Sequence, residues 1–403
     1  MKASSKQPLL WCAALVFGAM LGALGYSRLD AFLDFVAAAF TRLFQFVAVP
    51  TIALAVLTTL ASLGARRDTG RIFLRTVTYT LLTTFAAALV GLGLYLAIAP
   101  GNLPADLVAK SASAADAYVP ETLYGHILAV IPRNVVEPFY AGNVLSILLV
   151  AAAAGFALAT MKDTPEKAAL VKGVFGLQEL LFAMIRGLVR ALPLGIVAFS
   201  AQLAAQMKAG LDIGSLGKYL AVVLAGNLLQ FFVVLPLFLV ARGINPLRVL
   251  RAMSPAVLMA LFTKSSAATL PVTVSSAENN LRARPEVARF VCPICCTINM
   301  NGCADFILVN SLFVMQNGGA ALSLPTMLVW VLIACISAIG NAGVPMGCYF
   351  LTLSLMAGQG MPIGILGVIL PVYAVIDMIE TAENVWSDSC VCAMVQKDLY
   401  GAN

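Results

Sequence analysis

Charge is scarce in this chain. Of its 403 residues, 11% are Asp, Glu, Lys or Arg, where an ordinary soluble domain has roughly 25%. Hydrophobic residues make up 61%, so the chain reads as a membrane protein without a separate soluble domain. Strand-like alternation is missing too, which excludes a barrel and leaves helices to satisfy every backbone group away from water. No small-residue cleavage pattern follows the first apolar run, although Lys2 and Lys6 precede it. The run reads as a retained helix rather than a cleaved signal peptide. The one histidine, His126, falls in a loop, where solvation is a simpler reading than a pH switch or a ligand role. Nine cysteines are present, with Cys292, Cys295 and Cys296 clustered in VCPICC. Structural zinc wants a four-ligand set, and cysteine is commonly a small buried apolar residue. Cys390 and Cys392 pair only awkwardly on one helix, and no disulfide is called for.

What is present is a series of apolar runs long enough to cross a bilayer, which takes about 20 residues per helix. Spans are expected near 8–26, 31–62, 72–99, 136–160, 170–207, 214–242, 287–317 and 362–397. Two further apolar stretches, 250–280 and 324–358, are broken midway, at Ser265 to Pro271 and at Gly340 to Gly347. Each reads as a re-entrant hairpin, tolerated only where its tip is buried in protein or lines a cavity. Paired interrupted segments point to a transporter's substrate site. Lysine and arginine fall on alternate loops: Lys2 and Lys6, then Arg66, Arg67, Arg71 and Arg75, then Lys162 and Lys167, then Arg242, Arg248 and Arg251. The positive-inside bias therefore expects both termini in the cytoplasm. The formal charge of +6 is topogenic, and its scatter over several loops argues against nucleic acid. The longest loop, about 99 to 135, is expected to face outward.

Polar islands interrupt the apolar sequence. FTKSSAATLPVT, at 262–273, puts Lys264, Ser265 and Ser266 at a break; small residues packing helices, with hydroxyls bonded to their own backbone, is the alternative reading. TINMNGCADF, at 297–306, groups Thr297, Asn299, Asn301 and Gly302. Such a group interrupts a span and exposes carbonyls able to coordinate a cation, unless it is only a kink at glycine. SAIGNAGVPMG, at 337–347, is glycine-rich with Pro345, so its tip cannot stay helical and fits a flexible gate. The last helix carries DMIETAENVWSDSC, at 377–390. At 100° per residue, Asp377, Thr381, Asn384 and Asp388 share an arc of roughly 60°, with Glu380 beside it. An ionisable residue at mid-membrane costs a few kcal/mol on insertion scales and marks a substrate or ion pathway. Glu383 points elsewhere, and is either structurally partnered or facing a crevice.

In this order, KSSAATLPVT, TINMNG, GNAGVP and the last helix's D…ET..NV..D pattern resemble the dicarboxylate/amino acid:cation symporter (glutamate transporter) family over nearly the whole chain. The resemblance implies an all-α polytopic membrane protein with eight transmembrane helices and two re-entrant helical hairpins. These form inverted repeats in an elevator-type homotrimer of the bacterial inner membrane, without a covalent cofactor. It implies scaffold helices 1 and 2 over 1–71, transport-domain helix 3 over 72–99, an outer loop over 100–135 and scaffold helices 4 and 5 over 136–207. The remaining transport domain, 208–403, would hold helix 6, hairpin 1 (250–280), helix 7, hairpin 2 (324–358) and helix 8. Sodium drives many members and protons others. Carried over by motif, Asp388, Asn384 and Asn299 with the carbonyl of Cys295 look like one sodium site. The carbonyls of Thr297, Ala338, Ile339 and Asn341 look like a second, closed by hairpin 2. Thr80, Thr83 and Thr84 with Asn299 and Asn301 look like a third. For the substrate, Asp377 looks like the partner of the α-ammonium, Asn384 and the Ser265–Ser266 region look like partners of the α-carboxylate, and Thr381 and Val344 line the pocket.

Three departures carry information. Where acidic-substrate members have an arginine for the side-chain carboxylate, this chain has Glu380; the motif's aspartate is Asn301, and the threonine after it is Cys303, also at the pocket. Glu380 would repel an acidic side chain in a low-dielectric pocket. The last helix is similar to that of bacterial sodium/serine-threonine symporters, so small neutral substrates are expected, with acidic amino acids or dicarboxylates as the runner-up. Asn301 weakens the third cation site, and Asp305, one turn on, is placed to compensate. An ion channel also needs polar lining and intramembrane charge, but it would not saturate with a coupled substrate. A membrane hydrolase using Ser265 and Lys264 has poor geometry, because adjacent helical residues do not face each other. A transporter rather than an enzyme is expected.

Overall fold

The computed structural model describes residues 6–64, 70–103, 131–141, 144–208, 213–339, 341 and 346–401. Among them every regular element is helical. In chain order they are α1 (Lys6–Leu24), α2 (Ser27–Gly64), α3 (Gly70–Ile98), α4 (Glu137–Ala141), α5 (Val144–Thr160), α6 (Pro165–Lys208) and α7 (Ile213–Leu229). A π-turn (Gln230–Val234) joins α7 to α8 (Leu235–Ala241). Then come α9 (Pro246–Thr263), α10 (Ser266–Asn279), α11 (Pro285–Ile298), α12 (Asn301–Asn317), α13 (Leu324–Ile339), α14 (Gly347–Gly358) and α15 (Gly364–Tyr400).

Two packing groups emerge. In one, α1 lies on α6, and α2 lies on both α5 and α6. In the other, α12 is the hub, touching α3, α7, α13, α14 and α15, while α15 also packs on α9 and α11. Seventeen residues make up α12 and all but one of them are buried. The groups meet where α14 packs on α2 and α15 on α6. Polar clasps fix the ends of the hub group. Asp398 accepts the Tyr79 hydroxyl at 2.6 Å and pairs with Arg75 at 3.5 Å and Arg242 at 3.4 Å, tying α3, α8 and α15 together. At the far end Gln316 donates to the Pro100 carbonyl at 2.8 Å and accepts from Tyr95 at 2.6 Å.

Local sequence explains the breaks. Asn245 caps α9, accepting from the Leu247 and Arg248 N–H groups ahead of Pro246 in the first turn. Lys264 ends that helix in a left-handed conformation (φ 54°), and the Ser265 hydroxyl starts α10 by accepting from Ala268 at 3.2 Å. The chain therefore reverses at 264–265, and Pro271 rides inside α10. Asn280 donates to the Ala252 carbonyl at 3.0 Å, so the outer ends of the two arms lie together. Asn299 and Met300 part α11 from α12. Between α13 and α14 the chain leaves the helix after Ile339 and resumes after Met346.

By length and composition, four helical stretches of the described residues suffice to cross a membrane: Gly70–Ile98, Gly214–Ala241, Pro246–Thr263 and Pro285–Asn317. They become five if the bent pair Gly364–Leu370 and Val375–Tyr400 is one span. Pro246–Thr263 is the first arm of the expected hairpin 1. Large apolar side chains on the outward faces, such as Phe17, Phe35, Leu74 and Phe232, are well exposed, as a lipid-facing surface requires. Most of the expected outer loop, with His126, lies outside the described residues.

Candidate functional site

Three backbone interruptions and the last helix, α15, converge on one small cavity of about 10 Å³. The α9–α10 turn contributes Lys264 and Ser266, and the α11–α12 break contributes Met300 and Cys303. Hairpin α13–α14 contributes Asn341, and α15 contributes Asp377, Glu380, Thr381 and Asn384. The sequence expected this face of α15, and its polar residues are all buried: Asp377, Glu380, Thr381, Asn384 and Asp388.

Each side chain is held by identifiable bonds. Asp377 accepts the backbone N–H of Met346, and Tyr373 reaches both Asp377 Oδ1 (3.4 Å) and Glu380 Oε2 (3.3 Å). Glu380 Oε1 has no hydrogen-bond partner. The Thr381 hydroxyl folds back on the Asp377 carbonyl at 2.7 Å. Asn384 Oδ1 accepts from the Gly302 N–H at 3.0 Å, capping the buried start of α12. Its Nδ2 reaches the soft Cys303 sulfur, at 3.4 Å. Ser265 is occupied as an N-cap, while Ser266 is buried beside the cavity. Val344 lies outside the described residues. Glu383 is fully buried with both oxygens unpartnered, so the structurally bonded alternative for it does not hold.

Of the expected cation ligands, Thr83, Asn299, Asn301 and Asp388 form one hydrogen-bonded network. Asn299 Nδ2 donates to Asp388 Oδ1 (3.0 Å) and Ser387 (2.9 Å), and Asn299 Oδ1 accepts from Thr83 (3.1 Å) and Asn301 (3.1 Å). Gln230 ties the π-turn in, donating to the Thr83 carbonyl at 3.1 Å and to Asn301 Oδ1 at 3.3 Å. Thr80 contacts the Cys295 sulfur, and Thr84 Oγ1 is buried without a partner. The Cys295 carbonyl accepts the Asn299 N–H at 2.8 Å, and the Ala338 carbonyl accepts that of Asn341 at 3.1 Å. Ala338 and Ile339 end α13, which packs on α11, the helix that carries Thr297. A carbonyl oxygen has a second lone pair, so these bonds leave capacity for a cation.

Three features of the site were not assigned to it from the sequence, although Lys264 was noted at the hairpin break. Lys264 lines the cavity and exerts its charge on Asp377; a lone cation at a hairpin break was the available signal. Tyr373, four and seven residues before Asp377 and Glu380, was detectable from its shared helical face. The sulfurs of Cys303 and Cys348 meet across α12 and α14, a contact that was not expected. Their separation in sequence gave no sign of this.

Known proteins match this chain over most of its length. It is 28% identical to the human neutral amino acid transporter B(0), covering 96% of this chain and 79% of that one. It is 26% identical to mouse excitatory amino acid transporter 3, covering 96% and 84%. An uncharacterized symporter of Haemophilus influenzae is 26% identical, covering 92% and 88%. These relatives are transporters and not enzymes. With its apolar helices and with residues 9–398 matching the family's model, the chain is an integral membrane transport protein that belongs to the sodium:dicarboxylate symporter family.

Proposed function

We propose that this chain imports a small neutral amino acid, serine or threonine in kind, together with sodium. In this reading a transport domain (72–99 and 208–403) moves elevator-fashion against a scaffold (1–71 and 136–207) within a homotrimer. Eight spans and two re-entrant hairpins, with both termini in the cytoplasm, complete the topology.

The observation that carries the substrate class is Glu380. It is 1% exposed, sits on the cavity wall between Asp377 and Asn384, and keeps one oxygen without a partner. A carboxylate there repels an acidic side chain through a medium of low dielectric, whereas a serine or threonine hydroxyl can donate to the vacant oxygen. Asp377 takes the α-ammonium, and the Asn384 amide nitrogen with Ser266 takes the α-carboxylate, because neither charge leaves water cheaply without a partner. Thr381 and Cys303 complete the wall. A cavity of about 10 Å³ admits no amino acid as it stands, so entry requires hairpin α13–α14 to move.

Sodium is a co-substrate in this scheme. Asp388, Asn384, Asn299 and the Cys295 carbonyl form the first site, and the carbonyls of Thr297, Ala338, Ile339 and Asn341 the second. At the third, made by Thr80, Thr83, Thr84, Asn299 and Asn301, a neutral amide replaces a carboxylate and its NH2 group already donates to Asn299 and Ser387. Lys264 favours the second reading, an acidic substrate, because its ammonium offers a carboxylate a partner at the same wall. Uptake of labelled serine into sodium-gradient proteoliposomes, competed by each amino acid, decides. Competition strongest from serine, threonine or alanine supports the first reading; competition strongest from aspartate or glutamate replaces it with the second.

A further inference from the structure

Asp305, one turn beyond Asn301 on α12, is a ligand in none of the three cation sites proposed above, yet two helices pack directly on its carboxylate. It is 1% exposed, and its carboxylate is wedged between α3 and α7. A Cβ added at Gly226 would lie 2.5 and 2.7 Å from its oxygens, and one added at Gly91 would overlap Oδ1. Two helices thus carry glycine where they back onto one acid. Asn227 holds Oδ2 through its Nδ2 at 3.2 Å and is itself anchored on the Val223 carbonyl at 2.8 Å.

The surrounding oxygens outnumber the donors. Asp305 Oδ1, Asn227 Oδ1, Gln230 Oε1 and both oxygens of Glu383 are buried without a hydrogen-bond partner. Glu383 lies within electrostatic reach of Asp305. Among the described residues no Lys or Arg forms an ion pair with either acid. Asp305, Asp377, Glu380, Glu383 and Asp388 are all buried, and Lys264 is the one buried lysine or arginine among the described residues. Acceptor-only oxygens clustered away from water are costly unless a cation or a donor meets them.

We propose that Asp305 Oδ1 and Asn227 Oδ1 anchor a further site for a hard, sodium-sized monovalent cation where α3, α7 and α12 meet, with Glu383 as the second charge that attracts it. The site shifts one turn along α12 the negative charge that Asn301 does not supply. Its purpose rests on the sodium coupling proposed above, while its geometry stands apart from that reading.

Crystals of the full chain soaked with thallium(I), a heavy monovalent cation, test the geometry directly. An anomalous peak within ligand distance of Asp305 Oδ1 and Asn227 Oδ1 in the wild type, lost in Asp305→Asn, is the expected result. Peaks at Asp388 alone overturn the site and leave the transport reading intact. A peak at Asp305 in a protein that moves no amino acid does the reverse. In proteoliposomes, reversal potentials should give a sodium-to-substrate ratio that falls by one in Asp305→Asn. An unchanged ratio, or a loss of proton rather than sodium coupling, overturns the proposal. Should Asp305→Asn fail to fold, the wild-type thallium map decides alone.

Discussion

Met346 donates its backbone N–H to Asp377, at 3.3 Å to Oδ2 and 3.4 Å to Oδ1, tying the second hairpin to the last helix. Met346 is in the left-handed region at φ 62°, where a non-glycine residue is uncommon. The carboxylate that would receive a substrate ammonium is thus the group that receives the hairpin. Substrate and hairpin would then address the same atoms, which is a direct way to make closure depend on loading.

Asp377→Asn should therefore keep the hairpin contact, since an amide oxygen still accepts from Met346, but lose the charge for the ammonium. Removing one partner of a buried ion pair costs about 3–5 kcal/mol, so apparent substrate affinity should fall at least about a hundredfold. The KM for labelled serine reads this. A KM within a factor of a few of wild type would show that Asp377 does not bind the ammonium.

Asp388→Asn tests the first cation site. Asn299 bonds to the carboxylate at 3.0 Å and can bond equally to an amide oxygen, so the local fold should persist. With only dipoles left for the ion, half-saturating sodium should rise on the order of tenfold to a hundredfold, about 1.4–2.8 kcal/mol. An unaltered sodium activation curve would remove Asp388 from the site.

Gly302→Ala tests the close packing at the α11–α12 break. The added Cβ would come within 2.9 Å of both Asn227 Oδ1 and the Glu380 Cα. Backbone cannot yield easily, so a loss of about 1–3 kcal/mol is expected, visible as a lower thermal midpoint in detergent. Gly173→Ala, where the new Cβ meets nothing within 4 Å, is the control and should not lower it. Equal midpoints for both variants would contradict the packing.

How much of this was legible in the sequence depended on the kind of signal. The breaks at Lys264–Ser265, Asn299–Met300 and Ile339–Met346 were readable because glycine, proline and hydroxyl residues punctuate apolar runs, and the α15 face was readable because helical period is local. What stayed hidden was long-range. That Gly91 and Gly226 cradle Asp305, that Gln230 bridges Thr83 and Asn301, and that Cys303 meets Cys348 are consequences of which helices abut. No local spacing encodes that.

Topology can be read by labelling. Leu247→Cys and Asn279→Cys mark the outer ends of the first hairpin, where both residues are exposed, and Leu324→Cys and Gly358→Cys mark those of the second. An impermeant maleimide should label both members of each pair from one side of the membrane, with the unsubstituted protein as blank. Members of a pair labelled from opposite faces would make the arms full spans and defeat the re-entrant reading.

Glu380 would decide substrate class in this scheme, because it lines the cavity while Tyr373 offers one hydroxyl to Oε2 and Oε1 is left without a hydrogen-bond partner. Glu380→Arg should admit aspartate or glutamate at the expense of serine, since a guanidinium fork matches a carboxylate through two bonds. An added charge-assisted pair contributes about 1.5–3 kcal/mol, so the serine-to-aspartate preference should move by roughly tenfold to a hundredfold. Glu380→Gln separates charge from shape. It should lower serine affinity, because an amide is a weaker acceptor for the hydroxyl, yet gain nothing for aspartate. Uptake of both labelled substrates at fixed sodium, by wild type and the two variants, gives the ratios. A wild type that already prefers aspartate would move the side-chain contact to Lys264 and give the acidic-substrate reading its place.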